Sequence, residues 1–121
     1  MVGMKQHIDL GNKGEELAAQ FLNLKGYEIV ERNWRYGKAE IDIIAKQFEK
    51  LIFIEVKTRS NDYFSKPEES VNRRKRELLS RAAGAYILEQ NHDWLIRYDI
   101  ISIVLRTDGT YSISHHEDAF F

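Results

Sequence analysis

Cysteine is absent from the 121 residues, which excludes a disulfide framework, a thiolate zinc site, an iron–sulfur cluster and a cysteine nucleophile, and makes a cytoplasmic location the expectation. Proline occurs once, at Pro67, and no repeat, low-complexity tract or glycine–serine linker divides the chain. No apolar run approaches the roughly 18 residues that span a bilayer, and the opening MVGMKQHIDLGNKGEE lacks the apolar core of a signal peptide. Excess charge of either sign is missing too. Lys and Arg number 18 against 19 Asp and Glu, a formal net charge of −1, so any case for a polyanionic partner must rest on local clustering.

What is present is a globular balance: 43% hydrophobic, 12% aromatic and 31% charged. Such a chain builds one core, and a single domain over residues 1–121 is expected. Leu10, Gly14, Leu17, Phe21 and Leu24 recur at helical spacing, predicting a helix from about Asp9, as N-cap, to Lys25. Tyr27 to Arg35 reads as a strand. AEIDIIAK (39–46) and LIFIEVKTR (51–59) form a hairpin about the polar loop 47–50. A second helix is expected over about Glu68 to Gln90, with Val71, Leu78, Leu79, Ala82 and Tyr86 as its apolar stripe. Ile96 to Arg106 and Tyr111 to Ser114 are strands joined across an Asp-Gly turn. The order α-β-β-β-α-β-β fits an α/β fold, a mixed β-sheet flanked by helices.

A symmetric hairpin places Ile41, Ile43 and Ala45 opposite Val56, Ile54 and Ile52 on a wholly apolar face. On the other face Ile44 meets Phe53, Asp42 meets Glu55 and Glu40 meets Lys57, so an apolar surface ends in a square of four charges. Facing Cβ atoms lie roughly 4.5–5.5 Å apart, and like charges directly opposite destabilise the pair. Two neighbouring carboxylates resist ionising together unless a cation joins them. With no His or Cys at hand, the oxygen-only set Asp42 and Glu55 suits Mg2+ or Mn2+. Lys57 leaves the strand on the same side as Glu55, placed to orient water or to stabilise charge developing on a phosphate. The competing interpretation is a cross-strand ion-pair lattice on a solvated face.

These residues carry a resemblance. Asp42, the following Glu55-Val56-Lys57 and an upstream helical glutamate are similar to the PD-(D/E)xK restriction-endonuclease-like superfamily. Within it the chain resembles the YraN family of small, largely uncharacterised bacterial proteins, through GNKGEELA (11–18), GYEIVERNWR (26–35), EIDIIA (40–45), FIEVKTR (53–59) and RYDIISI (97–103). The resemblance implies a restriction-endonuclease-like fold and metal-dependent cleavage of nucleic-acid phosphodiesters, in the manner of Holliday-junction resolvase-like relatives. It assigns Asp42 and Glu55 as ligands of Mg2+ or Mn2+, Lys57 as the catalytic lysine and Glu15 as a further catalytic and metal-binding acid. On a helical wheel Glu15 lies beside Ala18, Ala19 and Leu22, so it can look toward the sheet, whereas Glu16 groups with the polar side. Glu40 is open between a second metal and a pairing with Lys57.

Positive charge concentrates where the second helix begins. Arg73, Arg74, Lys75 and Arg76, with Arg81 a turn on, suit a phosphate-tracking face, and Arg59 at the end of the catalytic strand adds to it. Lys75 shares the stripe of Val71 and Leu79 and is expected to lean toward the site. Trp34 and Tyr36, beside Arg35, offer rings for stacking on exposed bases, with core packing favoured for Trp34, and Tyr63-Phe64 in the loop after the catalytic strand is left open, a lip over substrate being one reading. His115-His116 point apart on their strand and precede what reads as a solvated acidic tail. The partner expected is nucleic acid, with DNA favoured, alongside a homodimer or a protein partner. A non-catalytic nucleic-acid-binding module and an interaction subunit of a DNA-processing assembly are the competing functions.

Overall fold

The computed structural model describes residues 2–60, 72–91 and 93–119, with side chains from residue 11 onward. The elements run α1 (Val2–Leu24), β1 (Glu28–Tyr36), β2 (Ala39–Gln47), β3 (Lys50–Ser60), α2 (Arg73–Gln90), β4 (Leu95–Leu105) and β5 (Tyr111–His116). The five strands form one sheet in the order β1-β2-β3-β4-β5. Only β3 and β4 pair in parallel; the other neighbours are antiparallel. That parallel pair requires a crossover, and α2 lies within it. The expected α-β-β-β-α-β-β order and helix-flanked mixed sheet are both present.

Each helix covers one face. Ala18, Ala19 and Leu22 of α1 pack with Ile43, Ala45, Ile52, Ile54, Val56, Ile101 and Ile103. Leu79, Ala82, Ala83 and Tyr86 of α2 pack with Ile44, Leu51, Phe53, Tyr98 and Ile100. The central strands are buried on both sides, which explains their near-continuous apolar runs. No helix among the described residues is long and apolar enough to cross a membrane.

Several boundaries differ from the sequence expectation. Helix α1 continues N-terminal to Asp9, which is therefore not its N-cap; with no proline to stop it, each added residue gains a hydrogen bond. Its buried face is also rotated. Leu24 is 89% exposed, and the small residues Ala18 and Ala19 lie inward instead. The cause is a close crossing at Gly14, where an added Cβ would sit 1.8 Å from Thr58 Oγ1 on β3. Helix α2 starts at Arg73, and Asn72 caps it by accepting the Lys75 N–H at 2.9 Å. Glu68 to Val71 and the Tyr63-Phe64 pair lie outside the described residues. After β5 the Glu117 and Asp118 side chains are exposed, as expected, but the backbone is anchored: Ala119 N–H donates to the Tyr98 carbonyl at 2.8 Å and Asp118 N–H to Asp99 at 3.0 Å.

Candidate functional site

The hairpin has the expected register from Gln47 opposite Lys50 to Ile43 opposite Ile54, about a two-residue tip, Phe48-Glu49. Beyond Ile43 the regular alternation fails. Ile41 belongs to the α2-side core with Ile44, whereas Ile43 belongs to the α1 side with Val56. The expected facing pair Ile41–Val56 is therefore not formed. The neighbouring strand changes at the same level: Arg32 reaches Glu16 of α1, Trp34 packs on the α2 side, and Asn33 between them has φ +53°. Asparagine tolerates this left-handed conformation better than most residues. Asp42, next to the break, turns its Oδ2 to accept the Val56 N–H at 2.8 Å.

This irregularity rearranges the charge square. Glu40 pairs with Arg35 across β1 at 3.0 Å, so the expected Glu40–Lys57 ladder pair gives way to a β1 partner. Glu55 and Lys57 project from β3 toward α2. Lys57 Nζ lies 3.9 Å from Glu55 Oε1, and Lys75 Nζ reaches in from α2 to 2.9 Å from the same oxygen. Asp42 and Glu55 are 9% and 6% exposed. The second oxygen of Glu55, Oε2, is buried without a hydrogen-bond partner. A cleft of about 210 Å3 opens onto them, lined also by Lys38, Glu40, Lys75 and Leu79.

The electrostatics follow from burial. Asp42 is pushed up to about 8, first by loss of hydration, then by the Glu55 charge and more weakly by Glu15; the Val56 N–H and Lys75 act against this. Lys57 is lowered by burial and by Lys75, despite the attraction of Glu55 and Asp42. Burial also works against a charge on Lys75, but its bonds to Lys57 and Glu55 prevail and raise it. Glu15 is raised by burial and by the charges of Glu40 and Glu55, with Arg32 and a hydrogen bond from Asn33 opposing. Six ionisable groups from α1, β2, β3 and α2, namely Glu15, Glu40, Asp42, Glu55, Lys57 and Lys75, thus share one field, as at many functional sites.

Glu15, Asp42 and Glu55 do not converge tightly enough to form a three-carboxylate cage. Among the described residues the one group of three metal-ligating side chains within 4.8 Å is Asp99, His115 and Glu117. That group already holds a cation. Arg97 makes two 2.8 Å bonds to Asp99 and lies 3.2 Å from Glu117. His115 Nε2 donates to Asp99 at 2.7 Å, and its Nδ1 faces Lys25 Nζ at 3.2 Å. With every Asp99 oxygen satisfied, the network is a structural ion pair; a metal would have to displace Arg97. At the acidic cleft the donor set fits a hard divalent ion better: Glu55 Oε2 lacks a partner and Asp42 resists ionisation without added positive charge.

The basic residues divide by position. Arg73 is solvent-exposed and pairs with Glu77 at 3.3 Å. Arg74 and Arg81 line a second cleft with Tyr36 and Lys38. Arg59 and Arg76 are placed at the end of β3 and in the first turn of α2, and both are engaged in interactions. Trp34 packs edge-on against Tyr86 with centroids 5.2 Å apart, in the core. Sequence reasoning does not single out Asn33 or Lys38; the available signals are an Asn inside a strand pattern and a lysine directly after the Tyr36-Gly37 turn.

A family model described as "Uncharacterised protein family UPF0102" matches residues 14–103. The chain is 48% identical to a UPF0102 protein of Christiangramia forsetii, with 98% of each chain covered. It is 45% identical to UPF0102 protein FP2501 of Flavobacterium psychrophilum, again over 98% of each. A UPF0102 protein of Porphyromonas gingivalis is 42% identical over 97% of this chain and 87% of that one. The matched segment contains Glu15, Asp42, Glu55, Lys57 and Lys75.

Proposed function

For this chain, which belongs to the uncharacterised protein family UPF0102, we propose a metal-dependent nuclease that hydrolyses nucleic-acid phosphodiester bonds, with DNA as the favoured substrate. The observation that carries it is the buried Asp42–Glu55 pair, with one carboxylate oxygen unpartnered and two lysines beside it at the floor of an open cleft. Idle buried charge is costly, so such a cluster is retained for what it binds. Asp42 and Glu55 would hold Mg2+ or Mn2+, with Glu15 as a further acid acting on them through its charge. When bound, the ion would polarise the phosphodiester and lower the pKa of water.

The chain's own groups supply the rest. Lys57, with its lowered pKa, is suited to accept or hold a proton at Nζ beside the scissile phosphate. Lys75, with its raised pKa, stays charged and neutralises phosphate oxygens. Arg74 and Arg81, unlike Arg73, face a cleft and suit the nucleic-acid backbone. The purified chain should cleave DNA with Mg2+ or Mn2+, and Asp42→Ala should abolish both cleavage and calorimetric metal binding. Lys57→Ala should slow cleavage on the order of 100–1,000-fold while metal binding persists. Absence of cleavage on linear and branched DNA and RNA with either metal, together with no metal binding, would sink the proposal.

One contact favours a second reading. Lys75 Nζ, 2.9 Å from Glu55 Oε1, already balances one carboxylate, as in a non-catalytic nucleic-acid-binding module. Such a module would bind DNA undiminished in Lys57→Ala and would not respond to divalent ions.

A further inference from the structure

Beside the acidic cleft lies a second one of about 220 Å3, lined by Tyr36, Gly37, Lys38, Arg74, Leu78 and Arg81. Lys38, Ala39 and Leu78 border both, so the two are adjoining compartments. Tyr36 is 53% exposed, yet its ring is held from behind: it stacks on Trp34 at 5° with centroids 6.4 Å apart, and Trp34 is braced by Tyr86. The adjacent Gly37, at φ +60°, turns the chain away, and a Cβ there would meet nothing within 4 Å, so the approach to Tyr36 is open.

The cations around this ring differ from their neighbours. Arg35 is neutralised by Glu40, and Arg73 by Glu77. Among the described residues Lys38, Arg74 and Arg81 have no carboxylate partner, in a chain whose net charge is −1. Three unpaired cations around one braced aromatic face match a nucleotide: a planar base with an anionic backbone on both sides. A base can lie on Tyr36 only if its own face is free, which stacking inside a duplex prevents.

Resting on the nuclease reading, we propose that this compartment seats one unpaired nucleotide next to the scissile phosphodiester. The base stacks on Tyr36, and Lys38, Arg74 and Arg81 contact the flanking phosphates. The preferred substrate class is therefore nucleic acid with a single-stranded or splayed segment at the cleavage position, not continuous duplex.

Binding without cleavage tests this separately from catalysis. A single-stranded DNA oligonucleotide carrying 2-aminopurine would be titrated with the full chain in EDTA, against a duplex of equal length. The wild-type chain should bind the single strand more tightly and quench its fluorescence on stacking. Tyr36→Ala should weaken that binding about 5- to 150-fold and remove the quench, while Tyr36→Trp retains both. Arg74→Ala and Arg81→Ala should each reduce the salt slope of log K by about 0.7. Equal affinity for single strand and duplex, or a Tyr36→Ala variant with undiminished quenching, overturns the proposal. If these signatures are present and no metal supports cleavage, the nucleotide site stands and the nuclease reading falls. If cleavage occurs but Tyr36→Ala leaves single-strand binding unchanged, the reverse holds.

Discussion

Asp99 on β4 and Asp42 on β2 are both buried aspartates in one sheet, but their surroundings have opposite character. Asp99, fully buried, receives Arg97, His115 and the Asp118 N–H. Burial alone would raise its pKa, yet the bonds from His115 and Arg97 hold it below the ordinary value of 3.8. Asp42 receives one backbone N–H and faces the like charges of Glu55 and Glu15, which add to burial in driving it to about 8. Asp99 belongs to a closed network that fastens β4, β5, Tyr27 and Glu117 together. Asp42 belongs to one left open, with an unpartnered oxygen beside a cleft. The first arrangement stabilises the fold, and the second needs something from outside to complete it.

The largest effect that tests this contrast is loss of the closed network. Asp99→Ala would leave Arg97 and His115 buried without their acceptor, and should lower unfolding free energy by about 3–5 kcal/mol in urea titrations. Asp42→Asn keeps the shape and the bond from Val56 and is neutral without taking up a proton on folding, so it should cost nothing at pH 7. Equal losses in the two variants would erase the distinction.

Next in size is the contact that sets how closely α1 approaches the open site. Gly14 lies so near Thr58 of β3 that a methyl group has no room there, and Glu15 follows it directly. Gly14→Ala should cost about 1–3 kcal/mol through overpacking. Combining it with Thr58→Gly should recover stability relative to the sum of the single changes, as read in a double-mutant cycle.

The two aspartates also predict opposite pH dependences. Folded Asp42 keeps a proton that the unfolded chain has lost, so stability should fall as pH rises from about 4 to about 8, by at most about 1.4 kcal/mol per unit. Asp42→Asn should flatten that limb, and millimolar Mg2+ or Mn2+ should flatten it as well by favouring the ionised form. Asp99, with its lowered pKa, contributes stability above its unfolded value of 3.8 that is lost as pH falls through its folded one. Asp99→Asn should therefore lower stability throughout neutral pH and flatten only the acid limb. Chemical denaturation at half-unit pH intervals separates the limbs.

What the sequence makes legible follows the same division. The hairpin register over 43–47 and 50–54 follows from the short polar turn between two apolar runs, which is a local signal, because with both faces buried the pattern of apolar residues alone does not distinguish one face from the other. The ordered elements follow from apolar periodicity and turn residues, which are local. The switch of face at Asn33 and Asp42 is not local: it depends on two strands breaking alternation at the same level, and neither shows a glycine or proline there. Glu40 finding Arg35 instead of Lys57 is a consequence of that break. The exposure of the acidic tail is legible but its anchoring is not, because the partners of Glu117, Arg97 and Tyr27, lie 20 and 90 residues away in sequence. Lys75 can be placed toward the site from its helical stripe, but not the distance at which it meets Glu55.

The smallest effect sharpens the contrast within one helix. Arg73 and Lys75 are two residues apart on α2, and both bond a glutamate. Arg73 meets Glu77 at the surface, where water and salt screen the attraction and side-chain ordering offsets it. Arg73→Ala should cost no more than about 0.5 kcal/mol. Lys75 meets a buried carboxylate that shares it with Lys57, so Lys75→Met removes positive charge from a group that cannot rehydrate, and its cost should exceed that of Arg73→Ala. Raising salt from 0.05 to 0.5 M should abolish the difference between wild type and Arg73→Ala while leaving most of the Lys75→Met deficit. Equal salt sensitivity would mean that the carboxylates of the cleft are hydrated like any surface pair, and the open network would lose its claim to be a site.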